Sequence, residues 1–88
     1  MSFIKPGAKV FIRTVTMFHT GQVVAISDDE ILLEQAAWIA DTGRFANSLQ
    51  SGVFSEVEPF PEGSKVVVNR KSVIDMLEVD FELPTVQK

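Results

Sequence analysis

The sequence predicts an all-β fold, a small barrel built on an antiparallel meander, with one short helix set into its middle. Three observations predict it. Runs rich in Val, Ile, Phe and Thr recur at residues 9–17, 22–26, 31–39, 53–60 and 65–79, each bounded by polar, Gly or Pro turn residues. Strands this short and this regularly spaced close on themselves, because closure removes unpaired edges. One stretch, residues 41–52, departs from the strand pattern and reads as about two helical turns. At 88 residues the chain makes a single domain, residues 1–88, with a small core.

Taken in order, Phe3 and Ile4 form an apolar arm cut off by Pro6-Gly7, a turn signal. Residues 9–17 carry the β-branched and aromatic side chains of a first strand. Residues 18–21 read as a connection, 22–26 as a second strand and Ser27-Asp28-Asp29-Glu30 as a polar turn. Residues 31–39 make a longer third strand, so these elements form a meander with short loops. Within 41–52, Asp41 or Thr42 is placed to cap a helix start and Gly52 to end it. Phe45 and Leu49 are four apart and share a helix face. Residues 53–60 return to strand with partial alternation, and Pro61-Glu62-Gly63 is a turn. In the tail, residues 80–88, Phe81 and Leu83 are available to dock and Pro84 prevents regular pairing.

Residues 65–79 read as a hairpin: Val66, Val67 and Val68 in one arm, Asn69-Arg70-Lys71-Ser72 as a sharp turn, and an apolar second arm. Alternation turns Val73 and Leu77 to one side and Ile74 and Met76 to the other. Both sides of a terminal strand are then apolar. A neighbouring subunit pairing along its edge is the natural cover.

Composition narrows the function. A hydrophobic content of 45% with 23% charged residues is that of a folded soluble domain. The absence of cysteine excludes disulfides and thiolate metal sites. No run approaches the ~18 apolar residues of a membrane span. Residues 1–6 lack the apolar core of a signal peptide, so a cytoplasmic location is expected. A net charge of −4 opposes broad electrostatic binding to nucleic acid and leaves room only for a local basic site. An enzyme is not expected. His19, the sole histidine, has no visible nucleophile partner, no cleft is implied for the carboxylate pairs, and there is no phosphate-cradling glycine loop. No cofactor or metal is expected either. Asp28-Asp29-Glu30 reads as a polar turn before it reads as a hard-cation site, and His19 lacks partners for a metal. Trp38 reads as a core or interface anchor before it reads as a base-stacking platform.

Two stretches carry a family resemblance. Residues 20–36, TGQVVAISDDEILLEQA, set a glycine in the second strand, then an acidic turn, then an apolar third strand; this resembles the first Sm motif. Residues 66–77, VVVNRKSVIDML, set an apolar strand, a basic turn and a second apolar strand; this resembles the second Sm motif. The chain is thus similar to Sm-like (Lsm and Hfq) proteins, and among them to small single-domain members of phage origin. The resemblance implies a bent five-stranded antiparallel barrel, with residues 40–63 as an insertion between the motifs. It also implies a homo-oligomeric ring of about five to seven subunits, the fourth strand of one pairing with the fifth of the next. Val66, Val68, Ile74 and Met76 are the expected interface residues. The family's pore loop falls on Asn69, Arg70 and Lys71, the expected contacts to short single-stranded RNA. Two cations per subunit would gather about ten to fourteen around one opening. The asparagine that follows the acidic turn in many members is absent here, and Lys71 stands where a glycine is usual. Two functions follow: a ring that holds single-stranded RNA at its pore, or a structural ring whose insertion face holds a protein partner.

Overall fold

The computed structural model describes residues 3–88; Met1 and Ser2, the start of the stretch read for a leader, lie outside them. Six strands form one antiparallel sheet: β1 (Lys9–Thr14), β2 (Phe18–Ile26), β3 (Glu30–Asp41), β4 (Glu56–Pro59), β5 (Lys65–Asn69) and β6 (Val73–Val79). The one α-helix is α1 (Phe45–Ser51), and a 3-10 turn (Arg70–Ser72) joins β5 to β6. The all-β class holds, with the six strands read from the residues where the family resemblance implies a barrel of five. The extra one, β4, belongs to the insertion and pairs with the second half of β3 through Ala37↔Pro59, Trp38↔Glu58 and Ile39↔Val57.

The long β3 organises the sheet. One edge pairs with β2; the other pairs with β5 along its first half and β4 along its second. β1 lies beyond β2, and β6 beyond β1, giving the path β5-β3-β2-β1-β6. β5 and β6 therefore occupy opposite ends of this path while only Arg70–Ser72 separates them in sequence. A chain advances at most about 3.6 Å per residue, so the sheet has to curve until its ends nearly meet. It does not close, since no ladder joins β5 to β6 among the described residues. The hairpin expected at 65–79 is thus a corner whose arms pair with different partners: β5 with β3, and β6 with β1.

A core lies on each face. The inner one gathers Val10, Ile12, Val23, Ile31, Leu33, Ala36 and Val68. The outer one gathers Phe11, Ala37, Ile39, Phe54, Val57, Val79 and Phe81 beneath the insertion and tail. β1 feeds both by simple alternation, whereas β3 needs a device. Gln35, at φ 51, and Ala36 stand together opposite Gly21, between the pairs Thr20↔Ala37 and Gln22↔Glu34. This bulge shifts the alternation by one residue, so Ile31, Leu33 and Ala36 face the inner core, and Ala37 and Ile39 the outer. Phe11 anchors the outer core, stacked against Phe18 at 5.4 Å and Phe54 at 5.9 Å. In the tail, Phe81 docks edge-on against Phe54, and Lys88 makes both backbone hydrogen bonds with Val57 on the outer edge of β4.

Some boundaries move. Residues 18–21 are strand, paired with residues 10–13, because the chain already reverses at Thr14, whose N–H donates to the Met17 carbonyl. Gly52 ends α1 as expected, in the left-handed region at φ 76, with its N–H on the Ser48 carbonyl. The start differs from the expected Asp41 or Thr42 cap. Arg44 is the N-cap residue and has no side-chain cap, while the Asp41 carboxylate accepts from the Gly43 N–H in the preceding turn.

Candidate functional site

Two polar loops meet at the corner between β5 and β6. The first, residues 27–30, is a tight turn held by Ser27: its N–H donates to the Glu30 carbonyl at 2.9 Å, and its Oγ accepts from the Asp29 and Glu30 N–H groups. The second, residues 69–72, is held by its own side chains. Asn69 Oδ1 accepts from the Lys71 N–H at 2.9 Å, and Ser72 Oγ donates to the Asn69 carbonyl at 2.7 Å. The β3–β5 ladder ends at the pair Glu30↔Asn69 and so sets the loops side by side. Arg70 fastens them together, its backbone N–H donating to the Asp29 carbonyl and its Nη1 to the Ser27 carbonyl at 2.6 Å.

Ser27, Asp29, Glu30, Val67, Asn69 and Lys71 line a shallow concavity between the loops. Arg70 is half-buried with one nitrogen committed to Ser27, whereas Lys71 is exposed. Neither joins an ion pair; among the described residues the pairs are Arg13–Asp75 and Lys65–Glu34. With its Oδ1 taken by the Lys71 N–H, Asn69 presents its amide N–H groups as donors. The site thus offers donors from Asn69, Arg70 and Lys71, with Asp28, Asp29 and Glu30 exposed beside them. Three carboxylates against two cations leave the loop pair slightly acidic. No three His, Asp or Glu side chains among the described residues stand close enough to hold a metal ion.

The expected interface positions separate. Val68 is 5% exposed and faces the inner core, with Val66 and Met76 half-buried against it. Ile74 is 58% exposed. The expected pairing of Ile74 with Met76 on one face is corrected by a bulge in β6: Arg13 pairs with Asp75 but Thr14 with Val73, so Ile74 is the extra residue and Val73 joins Met76 inside. Two positions that the reading of the hairpin left out of the interface are exposed instead, Val67 at 55% and Leu77 at 46%. For β5 the signal was present, since burying Val66 and Val68 turns Val67 outward.

Trp38 is not a core anchor. It is 38% exposed on β3, in register with His19 on β2 and Glu58 on β4. His19 is 9% exposed, its ring stacked on Phe60 at 6.4 Å and its Nδ1 without a hydrogen-bond partner among the described residues. Burial holds its imidazole below the ordinary pKa of 6.5. No helix among the described residues is long and apolar enough to cross a membrane. Compared with protein-family models, with curated proteins and with solved structures, the chain matches none.

Proposed function

We propose that this chain is an Sm-like binding subunit: a bent five-stranded barrel, extended by the insertion, that assembles into a homo-oligomeric ring and holds short single-stranded RNA at the loop pair. The observation that carries the reading is the Arg70 clasp. Residues 27–30 and 69–72 lie about 40 positions apart in the chain, yet two Arg70 donors tie them into one surface carrying Asn69, Arg70 and Lys71. These loops fall in the two stretches that resemble the Sm motifs, and the path β5-β3-β2-β1-β6 with its short corner is compatible with such a barrel. β5 and β6 each keep one unpaired edge for the ring. The second reading, a ring that holds a protein on its insertion face, draws on the length of the insertion, residues 40–63, which adds α1 and β4 to the sheet.

Light scattering for the oligomer, followed by titration with labelled oligouridylate and oligoadenylate at two salt concentrations, tests the proposal. Wild type should size as a closed oligomer and bind one of the probes, with affinity falling as salt rises. Arg70→Ala with Lys71→Ala should keep the ring and lose about 1 kcal/mol for each contact removed. A ring that binds neither probe transfers support to the protein-partner reading. A monomer at micromolar concentration removes both.

A further inference from the structure

We infer that the insertion is part of the subunit contact, with Leu77 and Phe45 of one copy covering the β5 side of the inner core of a second copy. The inference rests on the ring reading and adds to it which faces meet.

Its basis is strand direction. Every neighbouring pair along β5-β3-β2-β1-β6 is antiparallel, so four reversals leave β5 and β6 running the same way along the sheet. A second copy that offers its β5 edge to this β6 in antiparallel pairing must therefore be turned over. Its inner face then continues the first copy's outer face. Val66 and Val68 of the second copy fall on the side of Leu77, and Val67 of the second copy falls on the side of Met76.

The exposed apolar side chains suit that arrangement. Leu77 is 46% exposed directly opposite Phe11 on the outer face, next to the free edge of β6. Val66 is only half-buried, because the inner core is open where β5 and β6 fail to pair. Val67 and Met76 form the reciprocal pair, one exposed at 55% and the other half-buried. A head-to-tail contact needs two different complementary surfaces on each copy, and these two edges supply them. The outer edge of β4, by contrast, is already held by Lys88.

Turning the copy over also sets its body on the side where the first copy carries α1. Phe45 stands there, 46% exposed, with its ring against Phe11 at 5.9 Å and Phe18 at 6.5 Å. Half of that ring lacks a partner within the chain, and the second copy's body arrives beside it.

The chain has no cysteine, so engineered pairs report without background. Leu77→Cys protein is refolded together with Val66→Cys or Val68→Cys protein and oxidised. Cross-linked dimer is expected only in these mixtures, since side chains on one face of paired strands lie within disulfide reach. Cross-linking of Leu77→Cys to Val67→Cys instead would show that the copies are not turned over. In parallel, Phe45→Lys keeps a long aliphatic stem over Phe11 and places a charge toward the neighbour. Its oligomer should dissociate at a protein concentration at least tenfold higher than wild type. A folded Phe45→Lys protein with wild-type assembly overturns the role of the insertion while the ring stands. If Phe45→Lys does not fold, Phe45→Ala is measured in its place, and a folded Phe45→Ala protein with wild-type assembly likewise overturns the role of the insertion. Wild-type protein that sizes as a monomer removes this inference together with the ring.

Discussion

Gly21 shows how one side chain's absence shapes the sheet. It is buried on β2 opposite the β3 bulge, and a Cβ there would meet Leu33 Cδ1 at 3.1 Å, Leu33 Cβ at 3.2 Å and Ala36 Cβ at 3.4 Å. A valine adds two further methyl groups to a gap already too small for one. Gly21→Val should cost about 1–3 kcal/mol through overpacking, a drop of about 4–8 °C per kcal/mol in Tm for a domain of this size. An unchanged melting temperature would show that β2 does not approach Leu33 and Ala36 this closely. His19 makes a second prediction at this scale. Burial depresses its folded-state pKa below the unfolded value, so the unfolded chain binds the proton more readily. The neutral form's contribution is fully present above the ordinary pKa of 6.5. It is lost as pH falls below that value and stops changing below the folded-state pKa. The charged neighbour in its cross-strand row is Glu58, on the far side of Trp38 and held by Gln87. Urea unfolding followed by fluorescence of Trp38, the sole tryptophan, should give midpoints that fall between pH 7.5 and 5.5 in wild type. His19→Gln should flatten that slope. An equal slope in both proteins would show that His19 is not its source.

At the scale of elements, the insertion is held by contacts distant in sequence. Gly52 ends α1 in a left-handed conformation, and a Cβ there would lie 2.6 Å from the Phe81 ring. Gly52→Ala therefore has to displace both a backbone conformation and the docked tail. A loss of about 2–4 kcal/mol is expected from combined strain and repacking, read as a lower urea midpoint. Phe81→Ala should act on the same unit and cost about 3–5 kcal/mol, because it empties a site only 8% exposed. These contacts explain what the sequence could reveal. Gly52 as a helix stop was legible, because glycine tolerates the left-handed region at no steric cost. The strand cores were legible from β-branched content, and the two polar turns from their residues; that the turns meet was not, since it depends on the long-range pairing of β3 with β5. The bulges at Gln35 and Ile74 were not, since nothing in Glu34-Gln35-Ala36 or Val73-Ile74-Asp75 distinguishes an extra residue from regular alternation. The β3 bulge turns Ala37 and Ile39 to the outer core, and the β6 bulge leaves Ile74 exposed and brings Val73 in beside Met76, while Val66 and Val68 face inward by plain alternation opposite Leu33 and Ile31. The helix start was missed for a related reason: Asp41 satisfies its own turn through the Gly43 N–H and is no longer available to cap.

For the whole molecule the deciding quantity is charge. Twelve carboxylates face eight lysines and arginines, and the local balance at the loop pair has the same sign. The proposed ring would multiply both kinds of charge equally, so assembly alone would not make its opening basic. What it would multiply as well is the fixed geometry of Asn69, Arg70 and Lys71, with Arg70 braced against Ser27 and Lys71 in no ion pair among the described residues. Binding of single-stranded RNA would then depend on donors placed close to each phosphate while the carboxylates act as a uniform opposing field, which falls off within a Debye length of about 8 Å at physiological salt. This separates two effects experimentally. Asp29→Asn with Glu30→Gln removes opposing charge and leaves both Arg70 hydrogen bonds to residues 27 and 29 intact, because those use backbone carbonyls. In titrations with oligouridylate or oligoadenylate, this variant should bind about tenfold more tightly than wild type at low salt, a gain of about 1.4 kcal/mol. The gain should shrink as salt rises. Adding Arg70→Ala and Lys71→Ala should abolish it. If the neutralised ring binds no better than wild type, the loop pair is not where the nucleic acid lies. The exposed faces of the insertion then become the surface to test for a protein partner.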